Sequence, residues 1–178
     1  MIDMADILII YSTTDGHTLE ICQHLKQVIE RNGHHVSLQS IDAPTRLDLD
    51  NFDKIVVGAS IRYGKHSKRV YQFIEKHQQV MERKPNAFFS VNLVARKLEK
   101  RQPHTNPYVR KFLKEISWQP KEMTVFAGKL NYPIYRFWDR QIIRFIMWMT
   151  KGPTDPTTVI DYTDWDQVES FAQLVSDM

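Results

Sequence analysis

Cysteine is all but missing from this chain. Cys22 stands alone, so no intramolecular disulfide and no cysteine-based metal site can form. The seven histidines are scattered without ligand spacing, and no metal is expected. No uninterrupted apolar run of about 18 residues occurs, which excludes a bilayer-spanning helix. The N-terminus enters a strand-like segment without the basic flank and cleavage site of a signal peptide, so a cytosolic placement is expected. Two phosphate codes are missing too. Without G-x-x-x-x-G-K-[ST] the chain is no P-loop NTPase, and without G-x-G-x-x-G it has no dinucleotide fingerprint. Internal repeats, linkers and low-complexity tracts are also absent, so one domain over residues 1–178 is expected.

Acidic residues are scarce in one sector. Between Val94 and Arg144 there are 12 Lys/Arg against four acids, Glu99, Glu115, Glu122 and Asp139, a local +8. The whole chain carries +3, which leaves −5 for the remainder. A basic sector on an otherwise acidic protein points to an anionic partner, whether ligand, lipid headgroup or nucleic acid. Nucleic acid is set aside, because the sector contains no recognisable reading helix.

Short apolar runs alternate with amphipathic segments of helical length, the signature of βαβ units and a parallel sheet. Residues 6–11, with ILII at their heart, read as a fully buried first strand. Val36, Leu38 and Ser40 alternate as a second. Residues 54–58, 86–93 and 123–127 supply three more. Leu19, Cys22, Leu25 and Ile29 share one helical face that stops at Gly33. Residues 67–81 make a second helix with Val70, Phe73, Ile74 and His77 on one side. The last helix spans 165–175, with Thr163 and Asp166 as an acidic capping box. Cys22, in the middle of its apolar face, reads as a small buried hydrophobe. Five strands with helices between them make a doubly wound three-layer α/β sandwich. Two segments stand outside that plan: a basic one at about 94–121 and an aromatic, basic one at about 129–162.

The first strand ends abruptly in "ILIIYSTTDGHT". A strand that breaks into small hydroxyl residues and then enters a helix is a ready anion site, because the first helical turn has unpaired N–H groups. Ser12, Thr13, Thr14 and Thr18 add hydroxyls, and Gly16 lets the backbone approach closely. Each hydrogen bond to a charged phosphate contributes about 1.5–3 kcal/mol, so a monoester could be held without Lys or Arg. An ordinary N-capped helix has the same composition, and both readings stay open on this loop alone. A receiver domain would need an Asp at the end of the third strand, where the chain has Gly58-Ala59-Ser60.

The loop "STTDGHT" resembles the phosphate loop [ST]-x-T-G-x-T of the flavodoxin-like family, with Asp15 standing where Thr is usual. That resemblance implies a five-stranded sheet of order 2-1-3-4-5 with two insertions, and FMN as cofactor. It implies FMN contacts from Ser12, Thr13, Thr14, Asp15, Gly16, His17 and Thr18 in the first loop. "GASIRYG" would add Ser60, Ile61, Arg62, Tyr63 and Gly64, and the fourth strand Ser90, Val91, Asn92 and Leu93. "GASIRYG", "SVNLVARK" and "YTDW" together are similar to the flavodoxin-like protoporphyrinogen IX dehydrogenases of bacterial haem biosynthesis. This implies oxidation of protoporphyrinogen IX by a flavin that carries the redox step, with electrons passed to ubiquinone or menaquinone. It also implies a peripheral position on the cytoplasmic side of the inner membrane. No acid or base residue is identified by the sequence.

Arg96, Lys97, Lys100 and Arg101 follow the fourth strand and are expected to include partners for the substrate's two propionates. In "YRFWDRQIIRFIMWMTKG" a helical wheel gathers Tyr135, Trp138, Ile142, Phe145, Ile146 and Met149 in one arc. Arg140 and Arg144 fall opposite, while Ile143, Met147 and Trp148 spill outside. Such a helix suits an anionic membrane surface, a core position or a homo-oligomer interface. An NAD(P)H:quinone reductase and a flavodoxin-type electron carrier remain as alternative functions.

Overall fold

The computed structural model describes residues 3–43 and 45–178. Five parallel strands form its sheet: β1 (Asp6–Ser12), β2 (His35–Ser40), β3 (Lys54–Arg62), β5 (Asn86–Asn92) and β6 (Glu122–Ala127). Their order is β2-β1-β3-β5-β6, the expected one. A short strand absent from the sequence reading, β4 (Lys65–His66), turns back antiparallel on β3. The helices are α1 (His17–Arg31), α2 (Lys68–Glu82), α3 (Pro107–Glu115), α4 (Phe137–Met149) and α5 (Trp165–Asp177). A separate ribbon pairs β7 (Lys129–Asn131) with β8 (Val159–Asp161).

Both faces of the sheet are covered, which is why the central strands are unbroken apolar runs rather than alternating ones. Ile7 and Ile9 pack with Ile21, Leu25 and Ile29 of α1 and with Val168 and Phe171 of α5. Leu8, Ile10 and Val57 face the other way, against Val70 and Ile74 of α2 and Phe112 of α3. Helix α1 ends where Gly33 takes φ 93°, the left-handed conformation glycine tolerates. Cys22 is fully buried among these side chains, and burial pushes its thiol far up, out of reach of redox chemistry.

Three expectations need correction. The basic segment 94–121 is not an addition to the plan. It contains α3, the crossover helix between β5 and β6, and buries Val109, Phe112 and Trp118. Asn106 caps α3 by accepting from the N–H groups of Tyr108 and Val109, with Pro107 at the first helical position. The cap of α5 is Asp164, which accepts from Gln167 N–H. Thr163 is committed elsewhere, since its hydroxyl donates to Ala127 O at 2.8 Å. The segment 129–162 is a true insertion, but it begins and ends as the β7–β8 ribbon, which the sequence reading missed.

His66 of β4 is buried against Phe88 and Phe112, and Nε2 shares a 2.9 Å hydrogen bond with Ser90 Oγ. Burial without a charged partner lowers its pKa from 6.5 to about 3. The unfolded chain therefore takes up a proton in this window that the folded one refuses. Stability should fall as pH drops below 6.5, by up to about 1.4 kcal/mol per unit, until about pH 3 is reached. Urea midpoints at stepped pH check this: His66→Gln should flatten the acid limb, and an unchanged limb would refute the assignment.

Candidate functional site

The cleft lies at the carboxyl ends of β1, β3 and β5, at the point where the strand order reverses. It holds about 850 Å³ of open space, its solvent mouth included. Its floor is the β1–α1 loop with Thr13, Thr14, Asp15, His17 and Thr18. One wall is the end of β3 and its turn into β4, residues 60–64, and the other is Val91 to Val94, where β5 ends. The roof is supplied by the insertion, through Tyr135 and through Ile143, Ile146 and Met147 of α4.

The floor is built to receive an anion. Gly16 precedes α1 at φ 89° and no side chain caps the helix, so the N–H groups of its first turn have no partner among the described residues. Thr13 Oγ1 is spent locally, accepting from Gly16 N–H at 3.0 Å. Thr18 is 1% exposed and lines the cleft, yet its Oγ1 has no hydrogen-bond partner among the described residues. A buried hydroxyl left unpaired costs about 1–3 kcal/mol, a cost an incoming oxyanion would remove. These residues therefore fit the phosphate tail of a mononucleotide cofactor.

The β3–β4 turn presents an aromatic ring. Tyr63 and Gly64 both adopt positive φ, 51° and 76°, as a two-residue hairpin with the right twist requires. A non-glycine residue there stores about 1–3 kcal/mol of strain, which at a ligand cleft is a positioning device. Tyr63 stays 46% exposed at the mouth. Beside it the Arg62 guanidinium lies 5.8 Å from the Tyr63 ring centre and 5.4 Å from that of Tyr135. The same guanidinium is ion-paired with Asp15. That pair removes the repulsion a free carboxylate would exert on a phosphate in this loop. Tyr108 and Tyr135 also line the cleft, and burial raises both phenols; the Tyr135 hydroxyl is spent on the ribbon, accepting from Asn131 N–H at 3.1 Å.

Most sequence-derived site residues converge here, but not all. Ser12 ends β1 buried and does not line the cleft, and Gly16 acts only through its backbone. Ser90 is buried beneath the wall, bonded to His66 and to Asn92 Nδ2. Asn92 lines the cleft but spends its amide on Ser90, Asn106 and Ala95 N–H, tying the wall to α3. His17 lines the cleft with both ring nitrogens turned to protein. Nε2 donates to Thr163 Oγ1 at 2.6 Å, since that hydroxyl's own proton goes to Ala127 O, and Nδ1 faces Glu20 Oε2 at 3.2 Å. It braces the loop against the β8–α5 junction.

Of the four basic residues expected to meet the substrate, only Arg96 lines the cleft. Arg101 is turned away, donating to Ala95 O with Asp164 3.8 Å off. Arg96 donates to Leu93 O at 2.9 Å and to Thr150 O and Oγ1, both at 3.0 Å, pinning the end of α4 to the wall. The roof was missed altogether by sequence reasoning. A wheel shows which residues share a face, but not which face meets the cleft. In the structure Ile143 and Met147, thought to be outliers, are the buried ones. Of the expected arc, Trp138, Ile142, Phe145 and Met149 are exposed, whereas Tyr135 is buried and Ile146 half-buried, both lining the cleft. Arg140 and Arg144 are half-buried, donating to Tyr132 O and Thr154 O.

With this geometry in place, similarity to known proteins is informative. A family model described as flavodoxin domain matches residues 8–157. The chain is 43% identical over 169 residues to protoporphyrinogen IX dehydrogenase [quinone] of Escherichia coli K12, covering 95% of this chain and 93% of that protein. It is 45% identical over 166 residues to the protein of that name from Leishmania major, covering 93% and 72%. Among solved structures, oxidised flavodoxin 1 from Bacillus cereus superposes with TM-score 0.55 at 16% identity, over 97% of both chains. At that identity the superposition speaks for the fold alone.

The orphaned hydroxyl makes a sharp prediction. Thr18→Val should leave the ligand-free protein as stable as before, or more stable by up to about 1 kcal/mol. The same change should abolish most of the rise in Tm that inorganic phosphate gives the wild type. Equal phosphate protection in both proteins would show that the loop is only a helix start.

Proposed function

This chain belongs to the flavodoxin-domain family and, within it, to the protoporphyrinogen IX dehydrogenase (quinone) family; on that premise we propose an FMN-dependent oxidation of protoporphyrinogen IX. The product is protoporphyrin IX, an intermediate of haem biosynthesis, and the electrons go to ubiquinone or menaquinone. The observation that carries this reading is the uncapped, hydroxyl-orphaned start of α1 beneath an apolar roof. Bound flavin supplies the two-electron chemistry.

The chain's own residues bind, orient and exclude water. The first-turn N–H groups of α1 and the hydroxyls of Thr14 and Thr18 would hold the FMN phosphate. No Lys or Arg stands within that loop, so the neutral donors carry the anion. Tyr63 offers a ring face at the mouth, and Ile143, Ile146 and Met147 keep water from the reacting side. The roof also suits a substrate that is a large, mainly apolar macrocycle. Its propionates need a cation. Three line the cleft: Arg62, Arg96 and Lys129. Arg62 is paired with Asp15, and Lys129 lies 3.9 Å from Glu20. Arg96 bonds only neutral oxygens and has no carboxylate partner among the described residues. It is the cation with charge to spare, and in this reading it receives a propionate. The quinone acceptor is lipid-soluble, and in this reading the chain works peripherally at the cytoplasmic face of the inner membrane.

Anaerobic mixing of the yellow protein with protoporphyrinogen IX should bleach the flavin, which takes two of the substrate's six electrons, and porphyrin fluorescence should rise in full only when excess quinone allows three such turnovers. A quinone added afterwards should restore the colour. Bleaching by NADH or NADPH, with none by the porphyrinogen, would replace this reading by an NAD(P)H:quinone reductase.

Arg96→Gln should raise KM for the free-acid substrate roughly 10- to 100-fold, the loss of one charge-assisted hydrogen bond. The dimethyl ester, which has no carboxylate, should be oxidised with the same KM by both proteins. Equal losses on acid and ester would confine Arg96 to its role as a pin for α4.

A further inference from the structure

Helix α4 is apolar on two sides. Its inner side chains, Ile143 and Met147, are buried with Tyr132 and Tyr135, and they line the cleft. Its outer face holds Phe137, Trp138, Ile142, Phe145, Trp148 and Met149, six of the twelve exposed large hydrophobics among the described residues. Trp138 and Trp148 are 75% and 69% exposed. At helical spacing these six fall within an arc of about 140°. Ile134, three residues before the helix begins, is exposed as well. A monomer in water gains nothing from such a patch, and its concentration on one short helix marks an interface.

The surrounding charge says what covers it. Residues 129–151 carry Lys129, Arg136, Arg140, Arg144 and Lys151 against a single acid, Asp139. Arg136 and Lys151 are exposed at the two ends of α4. Arg140 and Arg144 bond backbone carbonyls, and neither has a carboxylate partner among the described residues. A second copy of the chain meeting this face would set cations against cations. An anionic bilayer would instead attract them and receive the Trp and Phe side chains at headgroup depth. With 13 residues α4 is about 20 Å long, too short to cross a bilayer and suited to lying in its surface.

We propose that the outer face of α4, flanked by Arg136 and Lys151, docks on an anionic phospholipid bilayer and lays the roof of the cleft directly against the lipid. This inference rests on the quinone reading above and gives it a route. One helix separates the hydrocarbon from Ile146 and Met147, so a lipid-dissolved acceptor reaches the cleft along α4 without crossing water. The neighbouring arginines hold α4 through neutral carbonyls, which lipid phosphates can replace as stronger acceptors.

The test is flotation of the FMN-loaded protein with vesicles. Vesicles of phosphatidylcholine and phosphatidylglycerol should bind it, with a blue shift of Trp emission, and pure phosphatidylcholine should bind it at least tenfold less. Arg136→Gln with Lys151→Gln should weaken binding to anionic vesicles by about fivefold per cation. Trp138→Ser with Trp148→Ser should abolish flotation, while Tm and the oxidation rate with a water-soluble quinone stay as in wild type. Flotation of the Trp138/Trp148 double variant at the wild-type level would overturn the proposal. So would a wild-type homodimer, seen by sedimentation, that the same variant dissolves. Failure of the porphyrinogen oxidation with flotation intact would sink the functional reading and leave the docking surface standing.

Discussion

The site is organised around a helix that starts without a cap. Ending β1 in Ser12 and turning at Gly16 in the left-handed region leaves the first N–H groups of α1 open and seals Thr18 Oγ1 from water. Folding normally satisfies such groups internally, and here they can be satisfied only by something that enters the cleft. The neighbouring charges comply with that constraint. Asp15, which would repel an anion, is neutralised by Arg62 rather than left free. His17 and Thr163 spend their hydrogen bonds holding the loop still, with Ala127 O as the terminus of the chain of contacts. In the reading proposed above, affinity for a phosphate comes from preorganised neutral donors, which cost little reorganisation when the ligand arrives.

Arginine has an unusual task in the insertion. Arg96, Arg140 and Arg144 all donate to backbone carbonyls around α4, and none meets a carboxylate among the described residues. The guanidinium fork supplies several donors in a fixed plane, enough to tie a helix end and a loop at once. The arrangement keeps the roof in register with a small apolar cluster of Leu130, Tyr132, Tyr135, Ile143 and Met147 beneath it. It also leaves positive charge near the cleft that acidic partners elsewhere in the fold do not cancel.

How much of this could be read beforehand follows from how local each signal is. Strand and helix order was legible because buried parallel strands are continuous apolar runs and their helices carry one apolar stripe. The three loops of the cleft were legible because their small and hydroxyl residues sit directly at strand ends. Ser90 and Asn92 spend their side chains within the wall, Asn92 while lining the cleft; a polar residue at a strand end can equally face a ligand or a buried neighbour. Only the packing of His66 and Asn106 decides it. The cap of α5 slipped by one residue for a similar reason, since Thr163 and Asp164 are both good caps until Ala127 O claims the first. The roof was the largest loss. Helix α4 is apolar over most of its circumference, so periodicity carries no information about which side faces protein. That is set by contacts distant in sequence, such as Arg96 with Thr150.

A flavin fold that shuttles single electrons needs only the loops and an accessible ring edge; a fold that oxidises a macrocycle needs a chamber. The insertion after β6 provides one with little material. Its ribbon carries α4 over the open end of the sheet, and α4 then closes the cleft with two buried side chains and presents six exposed ones outward. A roof made of a separate layer would have to bury both its faces against protein to be stable. Leaving one face apolar and uncovered is tolerable only if its usual surroundings are not water. On the docking proposed above, the same thirteen residues separate, and join, an apolar substrate chamber and an apolar solvent. The exposed tryptophans and the buried Ile143 and Met147 are two halves of one constraint.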